Sequence, residues 1–220
     1  MTVVVITPPA ALPVTLAQAK ANLRVDNTDE DAYITSLIEA VSENLDGPDG
    51  ILGRALITQT LELRLSAFPP AAGSWKDDRI WRGGASADAW PHDFHLDVPL
   101  PFPPVASITS VKFYDSTGAD LTLSSSAYQT LGSRGRQRLA LTPDQSWPDA
   151  PWRREGIRIR YVAGYGEDDT FVPAPIRHAI LLKVGTLYAN RESVLIERAT
   201  ALELPQSAQA LLAPYRISAF

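Results

Sequence analysis

Cysteine is absent from this sequence of 220 residues. Its absence excludes disulfides, thiolate metal sites and cysteine nucleophiles together, and it is compatible with a reducing cytoplasm. No run approaches the ~20 apolar residues that a helix needs to span a bilayer, so no membrane partner is predicted. The apolar stretch Thr2–Ile6 is cut short by Pro8 and Pro9 and lacks a basic region, which argues against a signal peptide. The expectation is a soluble, unsecreted chain.

Positive charge is also scarce, since the formal net charge is −5 and the isoelectric point is about 5.2. Affinity for duplex DNA comes mainly from Lys and Arg that neutralise phosphates, so a phosphate-gripping protein is not expected. Positive charge is nevertheless concentrated in one part of the sequence. Arginine occurs at every second position in Arg134, Arg136 and Arg138, and Arg158 and Arg160 repeat this spacing. Residues two apart share one face of a strand. That face either pairs with acidic neighbours or binds nucleic acid or a protein partner.

The motifs of several enzyme classes are missing from the sequence. It has no Gly-x-x-x-x-Gly-Lys phosphate loop and no dinucleotide-binding Gly-x-Gly-x-x-Gly after a strand, and no Gly-x-Ser-x-Gly nucleophile elbow. His92 and His95 have acidic neighbours, but in a strand two residues three apart face opposite sides. Neither a cofactor nor a metal is predicted. The best enzymatic alternative is a hydrolase whose carboxylate pair comes from Asp93, Asp97 or Glu167.

Helices are predicted near both ends of the chain. Thr15 and Gln18 fit a capping box at the start of a helix over Leu16–Arg24. Apolar residues then recur at i, i+3, i+4, i+7 and i+11 from Ile34, which predicts an amphipathic helix over Glu30–Asp46. Downstream, Pro175 suits a first helical turn of a long apolar helix, and a short helix is predicted over Gln206–Leu212.

Short strands are predicted between these helices. The alternation around Leu61, Leu63 and Leu65 indicates a half-buried strand. The remaining strands are predicted at 94–100, 108–114, 121–123, 127–131, 138–141 and 157–162. The irregular stretch 69–91 exceeds the common loop length and contains Trp75, Trp81 and Trp90. These tryptophans either pack against a partner subunit or fold back over their own sheet.

This order of elements predicts an α+β fold, in which N- and C-terminal helices form a small core around an inserted antiparallel β region. The predicted division is an N-terminal helical part over 1–60, a β-rich insertion with the Trp-containing loop over 61–166, and C-terminal helices with a tail over 167–220. The three parts are expected to form one composite domain. Tyr215 and Phe220 follow the last predicted helix, so both are expected to lie outside the core.

Several stretches of the sequence resemble the head–tail connector, or adaptor, proteins of long-tailed phages and of phage-derived gene transfer agents. Their order and spacing carry the resemblance more than any single motif does, and the Trp-containing loop matches least. The stretches are Leu16–Val25, Asp29–Asp31, Tyr33–Gly47, Gly53–Thr60, Tyr161–Gly166, Val172–Leu182 and Tyr188–Glu192.

The resemblance implies a structural role in a particle assembled in a host cytoplasm. The chain would form a ring of twelve copies below the portal at the head–tail junction, with a tail-side neck or stopper protein as a further partner. The ring would continue the exit channel, through which DNA passes without sequence-specific binding. In that family the C-terminal segment commonly reaches the portal, which here points to Pro214, Tyr215, Arg216, Ile217 and Phe220. The tryptophans Trp75, Trp81 and Trp90 are the predicted subunit interface.

Three hypotheses follow from the sequence. A ring component needs no catalytic cluster and tolerates aromatic residues outside the core. A hydrolase needs one of the carboxylate pairs named above to be functional. A free regulatory binding module has no specific feature in its favour. Net negative charge favours the first, because fixed negative charge on a channel wall repels the DNA backbone.

Overall fold

The computed structural model describes residues 1–69, 97–133, 135–191 and 205–217. These residues fall into two units, a sheet unit of residues 1–8 and 59–163 and a helical unit of residues 9–58 and 164–219. The helical unit is built from both ends of the chain, and the sheet lies mainly between them in sequence. The predicted α+β fold is therefore confirmed. Residues 2–7, which the predicted division groups with the N-terminal helices, pair within the sheet unit.

Helix α1 spans Leu16–Leu23 and begins with the predicted capping box. The Gln18 amide donates to the Thr15 hydroxyl and the Thr15 amide donates to the Gln18 side chain, both at 3.2 Å. These two bonds satisfy donors that a helix start leaves without partners. Arg24 ends the helix in the left-handed conformation with φ of 58°.

Helix α2 spans Asp31–Leu45, one residue inside the prediction at each end. Its buried face contains Ile34, Ile38, Val41 and Leu45, the stripe that the helical spacing indicated. The segment after the helix then folds back, because the Gly47 amide donates to the Arg54 carbonyl over 2.8 Å.

Helices α3 and α4 complete the helical unit. Helix α3 spans Ala174–Ala189 with a proline in its first turn, and α4 spans Gln206–Leu212. One apolar cluster joins all four helices, which agrees with the expectation that a helix as apolar as α3 lies in a core. Its buried members are Val14, Ala19, Ile34, Ile38, Val41, Leu45, Leu52, Leu56, Ile57, Val172, Ile176, Ala179, Ile180, Val184, Ala208 and Leu212.

The main sheet of the sheet unit has five strands in the order β1-β2-β8-β4-β5, and every neighbouring pair is antiparallel. The strands are β1 at Thr2–Thr7, β2 at Gln59–Leu65, β4 at Val105–Tyr114, β5 at Asp120–Thr122 and β8 at Ile157–Ala163.

The two faces of this sheet differ in chemistry because side chains alternate along each strand. Leu61, Leu63, Ile159 and Tyr161 are buried on the apolar face. The residues between them, together with their neighbours on β4, form the charged face of the sheet.

A second sheet has three strands in the order β3-β7-β6. They span Val98–Pro99, Arg138–Leu141 and Tyr128–Leu131 respectively. The predicted strand over 94–100 thus appears as β3, and residues 94–96 lie outside the described ranges. The buried Tyr161 hydroxyl donates to the Pro101 carbonyl over 2.8 Å, which links β8 to the segment after β3.

Candidate functional site

The predicted portal-contacting segment follows α4. Pro214 and Arg216 are exposed, Ile217 is half-buried, and Phe220 lies outside the described residues. Tyr215 packs against the core of the helical unit, so the expectation that it lies beyond any core is wrong. The reason is a single turn of 3-10 helix over Ala213–Tyr215, which carries the chain back over the cluster instead of away from it.

The loop before β2 holds this segment through backbone contacts. The Ile217 amide donates to the Leu52 carbonyl over 2.9 Å. The Arg54 guanidinium donates through Nε to the Tyr215 carbonyl, and the Arg54 residue is only 8% exposed. Between the two lies Gly53 with φ of 63°, where a Cβ would come within 2.9 Å of the Ile217 carbonyl oxygen. A glycine therefore allows the tail to approach this closely.

Arg54→Ala is expected to loosen the tail from this loop. Removing the guanidinium leaves the Tyr215 carbonyl without that donor, so the neighbouring bond from Ile217 to Leu52 should open more often. Hydrogen exchange of the Ile217 amide should become faster than in the unaltered protein. Arg216→Ala is the matched control, because Arg216 is exposed; equal exchange in the two variants would contradict the proposed role of Arg54.

The charged face of the sheet is centred on Glu62, which is 4% exposed. Glu62 lies opposite Arg160 on β8, and Arg160 lies opposite Ser110 on β4. Two residues along each strand, on the same face, Arg64, Arg158 and Lys112 form a second row. A small pocket on this face is lined by Glu62, Ser110, Lys112, Arg158 and Arg160.

Two arginines neutralise the Glu62 carboxylate. Arg160 donates from its terminal nitrogen over 2.8 Å, and Arg64 donates through Nε over 3.0 Å. Burial raises the pKa of Glu62, but the hydrogen bonds from Arg160 and Arg64 outweigh it, so the pKa lies below its ordinary value. The Glu62 carboxylate is therefore a buried anion surrounded by basic side chains. The two arginines are engaged with the Glu62 carboxylate, and the arrangement offers no pair of nucleophile and base.

Three of the alternating arginines, Arg138, Arg158 and Arg160, pair with acidic residues, as the first of the two interpretations of that cluster expects. Arg158 contacts Asp120 at 2.7 Å, and Arg138 contacts Asp97 at 2.6 Å. The Arg153 guanidinium lies 4.0 Å from the centre of the Tyr114 ring, within the range of a cation–π contact. Arg134 lies outside the described residues.

The start of α2 carries a cluster that sequence reasoning missed. Tyr188, in the last turn of α3, and Arg191, two residues beyond that helix, both donate to the Glu30 carboxylate. These hydrogen bonds, that of Tyr188 first, lower the pKa of Glu30. Lys20 contacts Asp31 at 2.6 Å. The contacts are remote in sequence, and no local pattern signals them.

The described residues give no support to a metal or catalytic centre. In those ranges, no group of three His, Asp or Glu side chains lies close enough together to hold a metal ion, and no helix combines the length and apolarity needed to cross a bilayer. His92, His95 and Asp93 lie outside the described ranges. Asp97 is held by Arg138 and burial raises its pKa, while Glu167 is exposed.

The predicted interface residues Trp75, Trp81 and Trp90 also lie outside the described ranges, so their role stays a prediction. The described surface does expose other large apolar side chains. Those in the sheet unit are Met1, Val5, Ile6, Leu121 and Trp152.

Comparison with known proteins supports the resemblance seen in the sequence. Residues 13–67 match the model of a family described as phage gp6-like head-tail connector protein. That segment contains α1, α2, the loop that holds the tail, and β2. No curated protein matches the chain. The resemblance to head–tail connector proteins is thereby confirmed.

The chain resembles solved structures of gene transfer agent particles over its whole length. A chain from the virion of a native gene transfer agent particle is 21% identical to it, with a TM-score of 0.68. The match covers 100% of the present chain and 97% of the virion chain. Chains from the neck of an empty particle computed with C6 symmetry and the neck of a native particle computed with C12 symmetry give TM-scores of 0.66 and 0.64, with 21% and 20% identity and the same coverage. At this identity the likeness establishes a shared fold.

Proposed function

We propose that this chain is a structural adaptor at the head–tail junction of a phage or gene transfer agent particle, because residues 13–67 match the model of the phage gp6-like head-tail connector family. The observation that carries the proposal is the family match, and the fold shared over the full chain with proteins of gene transfer agent virions and necks supports it. Those family members and neck proteins are structural parts and not enzymes, in agreement with the expected lack of catalytic function.

The proposed adaptor forms a ring of twelve copies below the portal and continues the DNA exit channel toward a tail-side neck protein. The neck structures that resemble this chain were computed with sixfold and twelvefold symmetry, which supports a ring. The net charge of −5 suits a wall past which DNA must slide, because the surface as a whole repels phosphate.

The proposed portal contact is the segment from Pro214 to Phe220. Pro214 and Arg216 are exposed and able to reach a partner, whereas Tyr215 contributes to the core of the helical unit and fixes where the segment begins. The contacts from Leu52 and Arg54 set its direction before any partner binds. Preorganisation of this kind reduces the entropy lost on binding.

Deleting residues 216–220 is the test of this contact. Tyr215 and its packing remain, so the purified protein should keep its helical circular dichroism and unfold at nearly the same temperature. Particles assembled with the truncated chain should lack tails, because the adaptor fails to dock on the portal. Undiminished yields of tailed particles would contradict a role for this segment in docking.

Electron cryomicroscopy of particles containing the chain tests the proposed function as a whole. Density for this fold in a ring between portal and tail is the expected result. A chain that is absent from the vertex, or one that shows substrate turnover lost in Asp97→Asn without any effect on assembly, would contradict the adaptor function.

A further inference from the structure

The first strand of the main sheet lies at one edge of that sheet. Strand β1 reads Thr-Val-Val-Val-Ile-Thr and contains neither charge nor proline. Proteins usually protect an edge strand with charged side chains, proline, a bulge or a covering element, because its unpaired backbone groups can pair with another chain. Among the described residues, the one protective feature of this edge is a register shift between Val5 and Thr7. The regular part of the edge is therefore Thr2–Val5.

The outward backbone groups of this edge lack a partner within the described part of the chain. Residues 2–7 pair with β2, and no other hydrogen bond between described residues involves residues 1–8. In an antiparallel pair, the residues of one strand direct their backbone groups alternately toward the partner and away from it. About half of the donors and acceptors of β1 are thus available to a further strand.

The opposite edge of the same sheet has matching chemistry. Strand β5 is exposed at all three of its residues. Its Leu121 lies opposite the buried Phe113, and Val5 on β1 lies opposite the buried Leu61. Both side chains therefore belong to the apolar face, and they are 42% and 40% exposed respectively. If the two edges met, the apolar face would continue across the junction and both side chains would lose exposure.

We propose that β1 of one copy pairs with β5 of the next copy, so that the sheet continues from subunit to subunit around the ring. A contact between two different edges is heterologous, which is the type of interface that closes into rings. A contact of β1 with β1 would be symmetric and would stop at a dimer. The proposal rests on the proposed function, since the ring is what brings the two edges together at every junction.

The strand directions define the geometry of the junction. Because all four neighbouring pairs in the sheet are antiparallel, β1 and β5 run in the same direction. A copy related by rotation about an axis along the strands would present its β1 parallel to β5. Parallel pairs are slightly weaker per residue than antiparallel ones, and β5 has only three residues. The contact is accordingly one that forms during assembly and does not hold free copies together.

Cross-linking in assembled particles tests this pairing. The chain contains no cysteine, so the double variant Val5→Cys with Leu121→Cys carries two thiols at defined places. A short bis-maleimide should convert it into a ladder of covalent oligomers, while either single variant should stay monomeric. Dimers from Val5→Cys alone would overturn the proposal in favour of a symmetric contact. Particles whose necks contain the double variant but give no oligomers would also overturn it.

A charge placed on the edge gives a second measurement. Val5→Lys should be incorporated into particles roughly tenfold less than the unaltered chain when both are present, an effect equivalent to about 1.4 kcal/mol. Ile51→Lys is the matched control, because Ile51 is equally exposed at 40% but lies in the helical unit. Equal incorporation of the two variants would overturn the edge pairing and leave the adaptor function standing, whereas absence of every form from the neck would overturn the adaptor function itself.

Discussion

Replacing Glu62 with glutamine is expected to lower the free energy of unfolding by about 2 kcal/mol at neutral pH. The substitution keeps the shape and one hydrogen-bond acceptor but removes the charge that Arg64 and Arg160 surround. Breaking a buried ion pair on one side typically costs about 3–5 kcal/mol. The lower figure applies here because the two arginine side chains are 31% and 41% exposed, so water compensates them in part.

The effect of this substitution should depend on pH. The pKa of Glu62 is lower in the folded protein than in the unfolded chain, so its stabilising contribution is fully present above the unfolded pKa and is lost as the pH falls through the folded one. The difference in stability between the original protein and Glu62→Gln should therefore shrink as the pH is lowered from about 7 to about 3. Chemical denaturation at several pH values measures this directly.

Asp149→Asn is the matched control for Glu62→Gln. Asp149 is an exposed acidic residue of the same sheet unit, and substitutions at such positions usually change stability by no more than about 0.5 kcal/mol. A loss for Asp149→Asn as large as that for Glu62→Gln would show that the effect is one of net charge and not of the buried contacts. A pH-independent loss for Glu62→Gln would contradict the ionised state assigned to this carboxyl.

The regular elements could be predicted from local sequence because their signals are local. The capping box at Thr15 and Gln18 placed the start of α1, and the apolar stripe placed α2 within one residue at each end. Alternation placed β2 and β8 in the same way, since one face of each strand is buried.

The chemistry of the charged face could not be predicted from the same patterns. Alternation predicted a half-buried strand around Leu61, Leu63 and Leu65. Glu62 on the other face is nevertheless buried, because β8 brings Arg160 beside it from nearly a hundred residues away in sequence. The strand β1 was missed for a related reason. In Thr2–Thr7, polar and apolar residues do not alternate, so only the pairing with β2 identifies this segment as a strand.

The position of Tyr215 shows the limit of inference from sequence order. A residue beyond the last predicted helix was expected to lie outside the core, but the contacts from Leu52 and Arg54 return the tail to the helical unit. Those contacts involve backbone atoms of the tail and a glycine with positive φ at position 53. Neither leaves a distinctive pattern in the sequence, whereas the family match begins at residue 13 and includes this loop.

Gly164→Ala is expected to cost about 3 kcal/mol or more in the free energy of unfolding. Gly164 has φ of 136°, a conformation that an L side chain rarely adopts, and a Cβ there would lie 2.5 Å from the Thr58 nitrogen and 2.6 Å from the Ile57 carbonyl. Both atoms belong to the backbone of residues 56–58, which pairs with residues 165–166 just after β8. The Thr58 amide donates to the Gly166 carbonyl over 2.8 Å, and the Tyr165 amide donates to the Leu56 carbonyl over 3.1 Å. Neither backbone segment can move away from the new Cβ without losing those hydrogen bonds.

Two other glycines separate the causes of this loss. Gly118→Ala has a similarly unfavourable φ of 86° but no atom within 4 Å of the new Cβ, so only backbone strain of about 1–2 kcal/mol is expected. Gly185→Ala lies within α3, where the nearest atom is 3.7 Å away, so it should stabilise the protein by about 0.5–1 kcal/mol. Thermal and urea unfolding should rank the variants Gly185→Ala, then Gly118→Ala, then Gly164→Ala from most to least stable. A loss for Gly164→Ala no greater than that for Gly118→Ala would mean that close approach of the backbone at residues 57–58 contributes nothing, and that the pairing of this segment tolerates a side chain.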